Sequence, residues 1–199
     1  MKKTHGVLWL SALLTIVCST DLWSQEGKVY TDLEDALRTP KEVIHLELRK
    51  DDLTSIPSEV WRFTNLEILD LGKNDITSIS DSLSTLSHLR ILILEKNELT
   101  SFPLAILELA SLEELYLADN RIEMLPDSIH RLSALRHLDM WHTDVSTLPS
   151  TITQMPALRE LDLRQTYLSE QDFYRRYPEG IENVEVHLTY GCDCGKKGH

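Results

Sequence analysis

Three sets of residues carry chemistry beyond folding. His137, Asp139 and Glu160 join an imidazole to two carboxylates, the residue types of general acid–base work. Asp139, Asp162 and Glu185 recur every 23 residues, and carboxylates held side by side would attract a basic side chain or a calcium ion. Cys192, Cys194 and His199 offer two thiols and an imidazole, a ligand set for a soft metal. Three ligands near a chain end make a weak metal site, however, and a disulfide or a tail without function competes. The sequence holds no Gly-x-Ser-x-Gly, no phosphate loop and no His-Glu-x-x-His, so no catalytic signature is complete.

What positions these residues is a repeat. Val43, Leu66, Leu89, Leu112, Leu135, Leu158 and Ile181 each open a copy of one apolar pattern 23 residues long. The copy from Leu112 reads Leu112, Leu115, Leu117, Asn120, Ile122, Leu125, Pro126, Ile129 and Leu132. That from Leu89 reads Leu89, Leu92, Leu94, Asn97, Leu99, Phe102, Pro103, Ile106 and Leu109, and Leu66, Leu69, Leu71, Asn74 and Ile76 repeat its first half. The pattern resembles the leucine-rich repeat family, in its 23-residue Leu-Pro-x-x-Ile form found in exported bacterial-style proteins. The resemblance implies an α/β solenoid, a horseshoe with a parallel concave β-sheet and a helical, 3₁₀ or irregular convex side. It also implies an asparagine ladder at Asn74, Asn97 and Asn120, weakened where Asp51, Thr143 and Thr166 take the same offset.

The same coil follows from physics alone. In Leu115-Tyr116-Leu117 the alternation has period two, which makes a short strand with the leucines inward and the tyrosine outward. Ile129 and Leu132, three apart, suit a helical or 3₁₀ return. One coil cannot bury its apolar face, but stacked coils bury a continuous core. The ends need covers. Residues 25–42 are expected to cap the first coil with a short helix, Thr31 as N-cap and Glu34 completing a capping box, halted by Pro40. After the repeats of residues 43–180, residues 181–199 supply a last strand through Ile181, Val184 and Val186 and then the cysteine-containing tail. Phe173, Tyr174 and Tyr177 are expected to close the core at that end.

Stacking in register sorts the outward strand residues into columns. The central column is Glu47, Asp70, Ile93, Tyr116, Asp139, Asp162 and Glu185. Two residues earlier it is His45, Ile68, Ile91, Glu114, His137, Glu160 and Asn183; two residues later it is Arg49, Gly72, Glu95, Ala118, Trp141, Arg164 and His187. Ile68, Ile91, Ile93, Tyr116 and Trp141 therefore form an apolar and aromatic patch with acidic ends, the pattern of a contact surface. His137 lies on an open face without a pocket to hold a substrate, which argues against an enzyme.

The predicted function is thus a non-enzymatic interaction module binding a protein or peptide, with Ile68, Ile91, Ile93, Tyr116 and Trp141 as anchors. Asp70, Asp139 and Asp162 are its polar selectors, His137 is a further partner-binding residue, and no cofactor is expected. The alternative is a metal-binding surface or stress protein using the acidic ladder or the Cys192, Cys194 and His199 tail. A net charge of −12 disfavours nucleic acid and favours a basic partner, although solubility alone explains an acidic surface. Residues 1–24 have the layout of a signal peptide: Lys2 and Lys3, the apolar run Val7 to Val17, then small residues with cleavage after Ser24 or Ser19. Val17 before Cys18 disfavours a lipidated cysteine. The expected product is a monomer, secreted, periplasmic or at the cell surface, with no stable membrane insertion after cleavage.

Overall fold

Leu46, Leu69, Leu92, Leu115, Leu138 and Leu161 are all fully buried, as the central, inward residues of short strands should be. The computed structural model describes residues 28–189, in which eight parallel strands form one open sheet in chain order. They are β1 (Val29–Tyr30), β2 (His45–Glu47), β3 (Ile68–Asp70), β4 (Ile91–Ile93), β5 (Glu114–Tyr116), β6 (His137–Asp139), β7 (Glu160–Asp162) and β8 (Glu185–His187). The expected signal peptide at residues 1–24 lies outside the described residues, as do Cys192, Cys194 and His199. Among the described residues no helix is long and apolar enough to cross a membrane.

Each of the first five coils returns through a five-residue 3₁₀ turn: Ser58–Arg62, Asp81–Thr85, Leu104–Glu108, Asp127–Arg131 and Ser150–Gln154. Pro57, Pro103, Pro126 and Pro149 precede four of them, where a residue with fixed φ and no N–H costs nothing. Ser80 precedes the other and accepts the Ser82 N–H with its hydroxyl. Val60, Leu83, Ile106, Ile129 and Ile152 point inward from these turns and are fully buried, completing the core behind the strand leucines.

The asparagine ladder stitches the central coils together. Asn97 Nδ2 donates to the Leu94 carbonyl of its own coil at 2.9 Å and to the Leu71 carbonyl of the preceding coil at 3.0 Å. Its Oδ1 accepts the Ile76 N–H at 3.0 Å. Asn74 and Asn120 repeat the arrangement. The residue before each asparagine, Lys73, Lys96 or Asp119, has positive φ, which ends the strand and aims the amide inward. Thr143 and Thr166 donate only within their own coils, to the carbonyls of Met140 and Leu163.

The ends depart from the sequence reading. Residues 25–42 contain a strand as well as a helix: β1 pairs with β2 through Val29 opposite His45. The helix α1 (Leu33–Ala36) is capped by Asp32, not Thr31; the Asp32 carboxylate accepts the Asp35 N–H at 2.7 Å. At the other end α2 (Glu170–Arg176) buries Phe173 and Tyr177 while Tyr174 stays 47% exposed, so only two of the three expected aromatics close the core. This helix and the loop after it use two more residues than a 3₁₀ return. Glu185 consequently lies beside Glu160, and His187 beside Asp162. The predicted stack of Asp139, Asp162 and Glu185 is therefore broken: its third member is His187, and Asn183 belongs to no column.

Candidate functional site

Register places the predicted face on β2 to β8. Ile68 opposes Ile91, Ile93 opposes Tyr116, and Tyr116 in turn opposes Asp139. All four apolar members are half-buried, as is Trp141 two residues past β6, so the patch is continuous but well packed. The most exposed large apolar residues lie elsewhere, among them Leu104, Met124 and Tyr167.

In the first half of the face one arginine bridges two carboxylates. Asp70 is only 5% exposed, and Arg49 from the preceding coil donates to both of its carboxylate oxygens, at 3.0 and 2.7 Å. The same guanidinium continues to Glu95 one coil further on. Gly72 makes this crossing possible, since a Cβ there would stand 2.8 Å from Arg49 Nη1. Burial would lower the Arg49 pKa, but the bonds to Asp70 and Glu95 outweigh it and hold the guanidinium above its usual range. Asp70 is thus an internal partner of Arg49 and not an available selector. Glu67, Arg90, Glu113 and Arg136 pair likewise along the entry side of the strands.

The second half is arranged differently. Tyr116 donates its hydroxyl to Glu114 at 2.7 Å, and its ring packs 4.9 Å from that of His137. Burial, reinforced by that hydrogen bond, holds the Tyr116 hydroxyl well above its usual range, so it remains a donor. Glu160 sits between two imidazoles, 3.0 Å from His137 Nδ1 and 3.1 Å from His187 Nε2. Asp162 is 7% exposed and held by Arg164 through side-chain and backbone bonds. Burial pushes its carboxyl up, yet Arg164 outweighs burial and leaves it below the usual aspartate range. Asp139 accepts the Trp141 N–H at 2.8 Å, and among the described residues it forms no salt bridge. Burial holds its carboxyl above the usual range, with the Asp162 charge adding to the effect and the Trp141 N–H opposing it.

A sequence profile described as leucine rich repeat matches residues 41–99, 87–145 and 110–168, well over half of the chain. This chain belongs to the leucine-rich repeat family. Solved structures with the same fold include a leucine-rich repeat protein of Leptospira interrogans (24% identity, TM-score 0.65), covering 81% of this chain and 48% of that one. The leucine-rich repeat domain of the type III effector XopL is similar at 24% identity and TM-score 0.65, covering 79% of this chain and 55% of that one. A third is the leucine-rich repeat ectodomain of the Arabidopsis thaliana receptor kinase GASSHO1/SCHENGEN3, solved in complex with Casparian strip integrity factor 2. It shows 21% identity and a TM-score of 0.61, with 82% of this chain and 20% of that one covered. This chain therefore spans about half the length of the first two and a fifth of the third. No curated protein matches it significantly.

Within this leucine-rich repeat, the sequence reading missed three functional details. Asp70, Asp139 and Asp162 each accept the N–H two residues on, a strand-end cap signalled by aspartate at one offset. Arg49 crosses two coils, signalled only by the glycine at position 72. A groove of about 430 Å³ lies between residues 146–148 and α2, lined by Leu148, Leu168, Phe173, Arg176 and Tyr177. It exists because a helix replaces the sixth 3₁₀ turn. Among the described residues no group of three or more His, Cys, Asp and Glu is placed to hold a metal ion, so the acidic-ladder alternative has no support there.

Proposed function

We propose that this leucine-rich repeat protein is an exported, non-enzymatic recognition module that binds a protein or peptide on its concave face, centred on Tyr116 and Trp141. The observation that carries the reading is the contrast in charge on one sheet: Asp70 and Asp162 hold an arginine of the chain itself, whereas Asp139, opposite Tyr116 and bonded to the Trp141 N–H, forms no salt bridge among the described residues. Leucine-rich repeats commonly serve protein interaction, and the GASSHO1/SCHENGEN3 ectodomain is solved with a protein factor bound. The Ile68, Ile91 and Ile93 cluster supplies apolar area beside the aromatics, and His137 borders it. The signal-peptide layout of residues 1–24 supports export.

The double variant Tyr116→Ala/Trp141→Ala tests this. Both side chains are half-buried on the sheet, so the melting temperature should fall while the cooperative melt is kept, and capture of the partner by the folded variant should fall at least tenfold. Unchanged capture would move the binding site off this face.

A further inference from the structure

Arg49 shows how this sheet satisfies an aspartate in the central column. Its guanidinium arrives from the preceding coil, passes over Gly72 and bonds both oxygens of Asp70. Asp162 reaches the same result with Arg164 of its own coil. The residue related to Asp139 as Arg49 is to Asp70 is Ala118, which carries no charge, and the residue related to it as Arg164 is to Asp162 is Trp141. Asp139 is left with one backbone N–H. Its neighbours are Tyr116 on β5, Asp162 on β7, and His137 and Trp141 on its own strand and just beyond. His137 is turned to Glu160, and Arg164 is held by Asp162. Arg164 and His137 act on Asp139 only through their fields, and among the described residues neither forms a salt bridge with it.

We infer that Asp139, framed by Tyr116 and Trp141, receives an arginine side chain from an extended segment of the bound protein, completing from outside the pairing that Arg49 makes within the chain. The inference rests on the concave-face reading and names the chemistry of its partner. Arginine fits better than lysine on three counts. Its planar fork meets a carboxylate through two parallel bonds, it stacks on aromatic faces, and it is more weakly hydrated than an ammonium. The surroundings are fixed in advance. Tyr116 is anchored by Glu114 and packed against His137, and Asp139 is oriented by the Trp141 N–H. A net charge of −12 adds a long-range attraction for a basic segment.

Selection of a displayed random decapeptide library on the immobilised full chain tests this. Selected peptides are then titrated against the wild type, Asp139→Asn and Tyr116→Ala/Trp141→Ala. The expected result is a shared arginine whose replacement by citrulline lowers affinity at least tenfold. Asp139→Asn should lower it as much, and combining the two changes should cost little more than either alone. Lysine in place of the arginine should retain only part of the affinity. Peptides that need Tyr116 and Trp141 but lack a basic residue, or bind Asp139→Asn unchanged, would overturn the arginine inference while leaving the concave-face reading intact. Peptides indifferent to all three residues, or none selected at all, would overturn both. Because asparagine can still accept the Trp141 N–H, unchanged thermal stability of Asp139→Asn separates lost recognition from lost fold.

Discussion

The two halves of this solenoid share one backbone plan and use it differently. From the first coil to the fourth, Asn74, Asn97 and Asn120 tie each coil to the one before, and Arg49 bridges Asp70 and Glu95. From the fifth coil onward Thr143 and Thr166 donate only within their own coils, the last return becomes a helix, and among the described residues Asp139 forms no salt bridge. A repeat can therefore pair its polar groups within the chain in one region and leave a carboxylate without a salt bridge in another. The central strand leucines from Leu46 to Leu161 are fully buried in both regions, so the contrast on the sheet face lies in polar bonding.

Substitutions in the ladder should break the comparison most sharply. Asn97→Ala strands the Ile76 N–H in the interior and removes one of the two amide donors from each of the Leu71 and Leu94 carbonyls, at a cost of about 2–3 kcal/mol in urea unfolding. Arg49→Met should come next, at about 2 kcal/mol, because it leaves the buried Asp70 carboxylate without its partner. Neither change should alter recognition at Tyr116 and Trp141. Thr143→Ala removes one bond within one coil and should cost only about 1 kcal/mol. A loss at Thr143 equal to that at Asn97 would erase the distinction between the halves.

The smallest effects are the most diagnostic, because they have opposite signs. Asp162 has a lowered carboxyl, so it stabilises the fold above its unfolded-state pKa, and that contribution is lost as pH falls through the folded value. Asp162→Asn should lower the melting temperature at neutral pH and flatten its decline in acid. Asp139 has a raised carboxyl, so its charged form opposes folding. The fold gains as pH falls through the raised value, and the penalty is complete above it. Asp139→Asn should leave the neutral-pH melting temperature unchanged or slightly higher, with any gain disappearing in acid.

Much of this was legible in the residues themselves, for a definable reason. A fixed period of 23 converts sequence position into place on a coil, so the inward leucines, the strand register from β2 to β7 and the asparagine ladder all follow from counting. Counting fails wherever the period changes. α2 and the loop after it lengthen the last coil by two residues, which moved Glu185 out of the acidic column and His187 into it. It fails equally for side chains that reach across coils: nothing in the offset of Arg49 says that it bends over Gly72 to Asp70 and not toward solvent. The cap at Asp32 in place of Thr31 reflects a third limit, since adjacent residues with similar capping chemistry differ only in where the backbone leaves the extended region.

The central claim is that the carboxylates of the last coils are not alike, Asp162 being bonded to an arginine of its own coil and Asp139 to a backbone N–H. Side-chain carboxyl titrations of Asp139 and Asp162 by carbon-detected NMR on the free protein test it directly. Asp139 should titrate above the ordinary aspartate range and Asp162 below it. Asp139 titrating at or below Asp162 would mean that a cation of the chain already holds it, and the contrast between the two halves would fail.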